Sequence, residues 1–242
     1  MKHQSILFYS RCLLAILAVT GTALEITKYG IGMLMYYTVQ SNLLVSLFAV
    51  YMVYAMFKGN DLQGPQFLRI KAAVTMSIMI TCVVYHFMLA PLAEDFWRVE
   101  NILCHYIVPL YFLLDTILLD HQRQYKWFDP IWWTLLPVLY MIFGLVNGFF
   151  LKIPIPDAKD SPFAYFFLNV PKYGWSYALT YVGIIFAAYL ICGFGLAGIK
   201  CLCVAPNKQF KNDFVPYLSI IDILMFNSKN EIKNMLNRYE LV

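Results

Sequence analysis

Six long apolar runs dominate the sequence and decide which folds are open to it. They cover roughly residues 6–26, 35–57, 69–91, 101–119, 131–151 and 174–198. Each run is long enough for a helix to cross about 30 Å of hydrocarbon. Hydrophobic residues make up 61% of the chain and charged residues 13%, whereas soluble domains average about 45–50% and about 25%. The sequence therefore predicts an all-α integral membrane protein, a bundle of six transmembrane helices.

The distribution of Lys and Arg between the loops predicts the orientation of this bundle. If the N-terminus is cytoplasmic, the segments on the inner side carry twelve Lys and Arg and the outer segments carry five. Cytoplasmic loops carry an excess of these residues, so both termini are predicted to be cytoplasmic and the protein to be multi-pass in the cell membrane. Residues 1–199 are predicted to form the transmembrane domain. Residues 200–242 are predicted to form a cytoplasmic tail that can hold a short amphipathic helix.

Three features argue against other classes of protein. The first run contains Arg11 and Glu25 and lacks a small-residue cleavage site, so we interpret it as a retained helix rather than a signal peptide. The six cysteines lie mostly inside apolar runs, which does not fit an extracellular disulfide framework. The net charge of +4 is dispersed along the chain, so no nucleic-acid partner is predicted.

A cluster of polar side chains opens the second apolar run. A polar group costs free energy in hydrocarbon unless the protein satisfies it, so these side chains should point into the bundle. At 100° per residue, one helical face carries Thr38, Ser41, Asn42 and Ser46. Gln40 is turned away from that face. A polar face at one end of a transmembrane helix is typical of the wall of a site.

The fourth run carries a second polar face, with His105 one turn after Asn101. The second and fourth helices are predicted to run in the same direction, which puts Thr38 and His105 at a similar depth below the outer surface. A hydroxyl in contact with an imidazole can act as a nucleophile with its base. The residues alone also allow a structural interpretation, because buried threonines often bond back to a helix carbonyl.

Four neighbouring polar residues of these two helices are predicted to bind substrate or to stabilise an oxyanion. Asn42 or Gln40 could donate to the oxyanion, Ser41 extends the same face, and Asn101 could help to hold the His105 ring. The sequence places no carboxylate to complete a triad.

A resemblance to a known family rests on these same motifs. It is carried by YTVQSNLL at residues 37–44 and by Asn101-x-x-x-His105 with Pro109 four residues later. On these residues, and over the core up to about Gly198, the chain resembles a bacterial six-span membrane family. That family is similar to the androgen-induced and androgen-dependent six-helix proteins of animals, threonine hydrolases of fatty acid esters of hydroxy fatty acids. The resemblance implies a Thr38 nucleophile and a His105 base.

We therefore expect an intramembrane hydrolase of lipid esters, whose partners are the bilayer and a fatty-acyl ester substrate. Every step can use side chains and water, so no cofactor is predicted. Two alternatives stay open at this stage. One is a small transporter or ligand-binding membrane protein with a polar cavity, and the other is a lipid acyltransferase that uses the same Thr/His pair. The oligomeric state is not predicted.

Two further groups of residues suggest interactions away from this pair. Arg11 and Asp115 lie at similar depth near the inner ends of their helices, so a structural ion pair is predicted, with Arg11 reaching the headgroups as the alternative. His86 lies near the outer end of the third helix and could approach His105. The chain has four histidines and no H-E-x-x-H motif, so no metal site is predicted.

The loop from Lys152 to Tyr173 interleaves proline with aromatic residues. This composition suits the outer headgroup region. The loop could act as a lid over the bundle or simply connect two helices.

Overall fold

The computed structural model describes residues 2–93, 95–156, 158 and 161–202. Within these ranges the chain forms helices and turns and contains no strand. The predicted tail, apart from its first three residues, lies outside the described residues.

Six long helices form the bundle, which agrees with the predicted number. They are α1 Lys2–Tyr29, α2 Tyr37–Phe57, α3 Pro65–Leu92, α4 Val99–Leu119, α5 Asp129–Leu151 and α6 Trp175–Leu202. Each helix is long and apolar enough to cross a membrane. Several helices begin earlier than their apolar runs; α3, for example, starts at Pro65, whose fixed backbone angle suits the first helical position.

Helices α1 to α4 pack through small residues into a common core. Ala15, Ala18 and Ala49 are buried there, with Val45 and Phe112 beside them. Small side chains let helix backbones approach closely, which is the usual packing in transmembrane bundles. The outward faces are also apolar.

Three of the helices contain a π-helical turn at the same end of the bundle. These turns are Tyr85–Leu89 in α3, Leu103–Ile107 in α4 and Asn147–Leu151 in α5. In a π turn the N–H bonds to the carbonyl five residues back, and such turns often mark functional sites. We call this end, which also carries the start of α2, the site end of the bundle.

The segment between α5 and α6 packs back onto the site end. We call its described part, residues 152–156, 158 and 161–173, the capping segment. Asn147 holds it by donating to Ile153 O and Pro162 O, at 3.2 and 2.9 Å, and by accepting from Ile153 N–H at 3.0 Å. The Phe163 ring lies so close above Gly148 that a Cβ there would overlap it. The segment is therefore a packed part of the fold.

Candidate functional site

Thr38 and His105 are in contact at the site end. Thr38 Oγ1 lies 3.4 Å from His105 Nε2. Thr38 is in the first turn of α2 and His105 is in the π turn of α4. The pair predicted from two separate helices is thus brought together. A separation at the long end of the hydrogen-bond range is common in the free state of catalytic pairs.

The other ring nitrogen of His105 decides which tautomer faces Thr38. His105 Nδ1 lies 3.0 Å from the backbone carbonyl of Asn101. A carbonyl can only accept, so in the neutral ring Nδ1 carries the hydrogen and the lone pair of Nε2 points at the Thr38 hydroxyl. This is the form that can take a proton. Asn101 therefore holds the ring through its backbone, while its side-chain amide donates to Phe96 O at 2.7 Å.

Tyr85 fixes the imidazole from one face. Its ring stacks on that of His105 with centroids 3.7 Å apart and an interplanar angle of 25°. His105 is 7% exposed, so the ring is confined between α3 and α4. Tyr85 could not be recognised from the sequence, because an aromatic residue inside an apolar run carries no signal that separates this contact from ordinary packing.

Asn42 joins α2 to α4 directly beside the pair. Its Nδ2 donates to Thr38 O at 2.9 Å and to Cys104 O at 3.0 Å. In the π turn, Val108 N–H bonds to Leu103 O; Pro109 would continue this register to Cys104 O but has no N–H. The proline thus leaves Cys104 O without this backbone donor, and the Asn42 side-chain amide donates to it instead.

Gln40 and Ser41 also bond within the protein. Gln40 Nε2 donates to Leu34 O at 2.8 Å, which fits its predicted position away from the polar face. Ser41 Oγ donates to Thr38 O at 3.0 Å and lies 2.7 Å from Thr81 Oγ1. The substrate-binding or oxyanion roles of Gln40, Ser41, Asn42 and Asn101 stay predictions.

Tyr165 of the capping segment reaches the start of α2. Its hydroxyl accepts the backbone N–H of Thr38 at 3.4 Å. The first N–H groups of a helix have no partner inside the helix, so this contact satisfies one of them. Burial raises the pKa of Tyr165 above its ordinary value, and the phenol keeps its hydrogen. Sequence reasoning could not have found Tyr165, which is 127 residues from Thr38.

An apolar cavity of about 220 Å³ opens beside Thr38. Thr38 and Thr81 contribute hydroxyls to its wall, and Tyr85 and Tyr165 contribute rings. The rest of the wall is mainly aliphatic and aromatic, including Pro137, Val138 and Met141 of α5 with Val182, Ile185 and Phe186 of α6. Such a space suits an apolar ligand with one polar group to orient it. Asn147, although at the site end, is not part of this wall.

The carboxylate nearest in sequence to the pair is used elsewhere. Glu100 is fully buried and accepts from Lys28 Nζ at 2.9 Å and from Tyr29 Oη at 2.8 Å. Arg98 Nη1 donates to the same Tyr29 hydroxyl at 2.9 Å. This group ties α1 to α4. The position that a carboxylate occupies in a triad is taken by the Asn101 carbonyl.

His86 does not extend the site. It is exposed, and its Nδ1 lies 3.2 Å from Tyr106 Oη. Among the described residues, no group of three or more His, Cys, Asp or Glu could hold a metal ion.

A second polar cluster lies at the opposite end of the bundle. Arg11 and Asp115 are in contact, with Nε–Oδ1 and Nη2–Oδ2 distances of 3.2 and 3.3 Å. Lys71 Nζ donates to both Asp115 and Asp120, and Arg11 Nη2 lies 3.5 Å from Asp120. All four side chains are almost fully buried. The predicted pair is therefore half of a four-charge network, and the roles of Lys71 and Asp120 in it were not predicted from the sequence.

A family model matches a short stretch at the end of the chain. It is the model of the WbqC-like protein family, and it matches residues 193–234, which comprise the end of α6 and residues beyond those described. The stretch contains neither Thr38 nor His105, so the match says nothing about the site. Comparison with curated proteins and with solved structures gives no match.

Proposed function

We propose that the protein is a multi-pass membrane protein that hydrolyses lipid esters inside the bilayer, with Thr38 as nucleophile and His105 as base. The observation that carries the proposal is the contact between Thr38 Oγ1 and Nε2 of His105, the ring nitrogen that faces away from the Asn101 carbonyl, beside an apolar cavity. A threonine hydroxyl is a weak nucleophile near neutral pH, and a neighbouring imidazole base is the usual means of activating it.

The reaction takes two stages. Thr38 Oγ attacks the ester carbonyl carbon while its proton passes to His105 Nε2, and the carbonyl electron pair moves to oxygen. When the pair returns, the bond to the alcohol oxygen breaks and His105 donates the proton to it. Water then attacks the acyl-threonine, again with His105 as base, and releases the fatty acid and the Thr38 hydroxyl.

The chemistry of the cavity supports a fatty-acyl substrate. Its lining offers dispersion contacts and almost no hydrogen bonds, which favours a hydrocarbon chain over the polar solute of a transporter. Phe186 of α6 lines the cavity and is 41% exposed, so we propose that the chain enters sideways from the lipid between α5 and α6. The resemblance to the threonine hydrolases of fatty acid esters points to the same substrate class.

Replacing Thr38 with Ala in the purified protein tests the proposal. We expect Thr38→Ala to lose turnover of long-chain esters and labelling by a fluorophosphonate probe, because both need the attacking hydroxyl. The matched control is Thr27→Ala, which removes an exposed hydroxyl that bonds to Ala23 O within α1.

Unchanged turnover or labelling in Thr38→Ala would rule out the nucleophile. Analysis of the products with an added lipid alcohol distinguishes hydrolysis, which releases free fatty acid, from acyl transfer, which forms a new ester.

A further inference from the structure

Attack by Thr38 would create a negative charge on the carbonyl oxygen of the substrate. Fixed hydrogen-bond donors aimed at this oxygen are usually the largest single contribution to such catalysis. The side-chain amides near Thr38 are already engaged: that of Asn42 donates to two backbone carbonyls, and that of Gln40 donates to Leu34 O. The free oxygen of Asn42 is an acceptor and would repel an oxyanion. The donor must therefore come from another residue.

Tyr165 is the side chain best placed to supply it. Its hydroxyl lies 3.4 Å from Thr38 N and accepts that N–H, and its ring borders the same cavity as Thr38. A phenol that accepts one hydrogen bond can still donate its own hydrogen. The side-chain hydroxyls of Thr38 and Tyr140 lie within hydrogen-bonding range of the Tyr165 hydroxyl, so the substrate oxygen would replace them as the acceptor. The Thr38 N–H is itself at the positive end of the α2 dipole, which favours a negative charge there.

We propose that Tyr165 is a third catalytic residue, whose hydroxyl binds the substrate oxyanion together with the backbone N–H of Thr38. This inference rests on the proposed function. As the bond from Thr38 Oγ to the carbonyl carbon forms, the carbonyl pair moves to oxygen. The Thr38 N–H then turns from the Tyr165 oxygen to the oxyanion, and the Tyr165 hydroxyl donates to the same oxyanion. No proton is transferred from Tyr165. When the alcohol leaves, the pair returns to carbon and both hydrogen bonds weaken.

The packing around Tyr165 explains how a residue outside the long helices could hold such a position. Its ring stacks on Phe167 with centroids 5.3 Å apart and meets Tyr36 edge-on at 5.9 Å. Phe163, two residues earlier, is fixed over Gly148. Because burial keeps the phenol protonated, the donor is present throughout the neutral range. The capping segment would then complete the active site.

Tyr165→Phe removes the hydroxyl and keeps the ring packing. We expect kcat for a long-chain ester to fall about 100- to 1000-fold, the usual loss when one oxyanion donor is removed, with KM changed by less than about threefold. Affinity for a long-chain trifluoromethyl ketone, which forms an oxyanion on Thr38, should fall with kcat. Affinity for the product fatty acid should be unchanged. The matched control is Tyr36→Phe, whose lost hydroxyl bonds to Pro156 O in the same segment, and which should keep wild-type kcat.

Each contrary result has a distinct meaning. A Tyr165→Phe protein with wild-type kcat, alongside an inactive Thr38→Ala protein, overturns this inference and leaves the proposed function standing. An equal loss of kcat in Tyr36→Phe also overturns it, since docking of the capping segment would then explain the effect. Wild-type turnover in Thr38→Ala removes the proposed function and this inference together.

Discussion

Lys71 lies within the protein interior although it is only the seventh residue of α3. Its ammonium group contacts Asp115 and Asp120, and Arg11 contacts the same two carboxylates. The cluster therefore contains two positive and two negative charges. A single buried charge is costly, whereas a balanced group with hydrogen bonds among its members is tolerated. The network joins α1, α3, the end of α4 and the turn that follows it. The network therefore fixes the packing of these elements against one another.

Lys71→Met should therefore destabilise the protein strongly. The substitution leaves two carboxylates beside one guanidinium, and breaking a buried ion pair from one side typically costs about 3 to 5 kcal/mol. We expect a clear fall in the thermal unfolding midpoint of the purified protein in detergent. Lys58→Met is the control, because Lys58 is exposed and its loss should have little effect.

We attribute the expected loss of stability to the unbalanced buried charge rather than to the loss of the lysine side chain itself. Lys71→Met combined with Asp120→Asn removes one charge of each sign and should recover part of the lost midpoint. A double variant less stable than Lys71→Met alone would contradict this explanation.

The site residues differ in how far the sequence could reveal them. Thr38 and His105 stand out because each is a polar residue near the start of an apolar run. A polar group there costs free energy unless it faces the interior of the protein. Arg11 and Asp115 stand out for the same reason. Tyr85 and Tyr165 are aromatic in aromatic surroundings, so only their positions in space connect them with His105 and Thr38. Lys71 lies only two residues after the start of the apolar run at residue 69, so the count of inner-side charges in the sequence includes it. The start of α3 at Pro65 places it well inside the helix.

At the scale of elements, the π turns and the capping segment shape the site more than the straight helices do. The π turn in α4 carries His105, and the one in α5 carries Asn147 and Gly148, which hold the capping segment. The length and apolarity of the six runs predicted all six helices, because both are properties of a local window. They could not predict the π turns, since one extra residue in a turn leaves an all-apolar pattern unchanged.

Gly148→Ala tests whether the capping segment must sit where it does. The added Cβ would overlap the Phe163 ring, and overpacking of this kind costs about 1 to 3 kcal/mol. If the segment moves to relieve it, Tyr165 moves away from Thr38. A displacement of about 1 Å can cost up to about 100-fold in rate, so we expect slower fluorophosphonate labelling and slower ester turnover.

Two further variants separate this effect from a general loss of helix packing. Gly148→Ala with Phe163→Leu makes room for the new methyl group and should regain most of the labelling rate. Gly198→Ala adds a methyl group to α6 where nothing lies within 4 Å and should label like the wild type. Wild-type labelling of Gly148→Ala itself would show that the segment tolerates the overlap without consequence for the site.

At the scale of the whole molecule, the outward-facing surface and the loop charges determine how the bundle relates to a membrane. Large apolar side chains face outward along the helices, among them Leu47, Leu118 and Ile191, at 63, 69 and 73% exposure. Exposed apolar area of this extent fits contact with lipid.

The buried network affects the predicted orientation of the bundle. Lys71 is paired with carboxylates inside the protein and should not be counted as a loop charge. Outside residues 200–242 the two sides then carry equal numbers of Lys and Arg, so the predicted orientation depends on the charges of the C-terminal tail.

Accessibility of single cysteines tests this orientation. In a variant whose six native cysteines are replaced by alanine, Lys152→Cys and Lys58→Cys place one thiol at an exposed position near each end of the bundle. If the tail charges retain the C-terminus in the cytoplasm, a membrane-impermeant maleimide added to sealed right-side-out vesicles should label Lys152→Cys at once. Lys58→Cys should react only after detergent opens the vesicles. The reverse pattern would put both termini outside and would move Thr38 and His105 to the cytoplasmic side, where an ester substrate would have to enter from the inner leaflet.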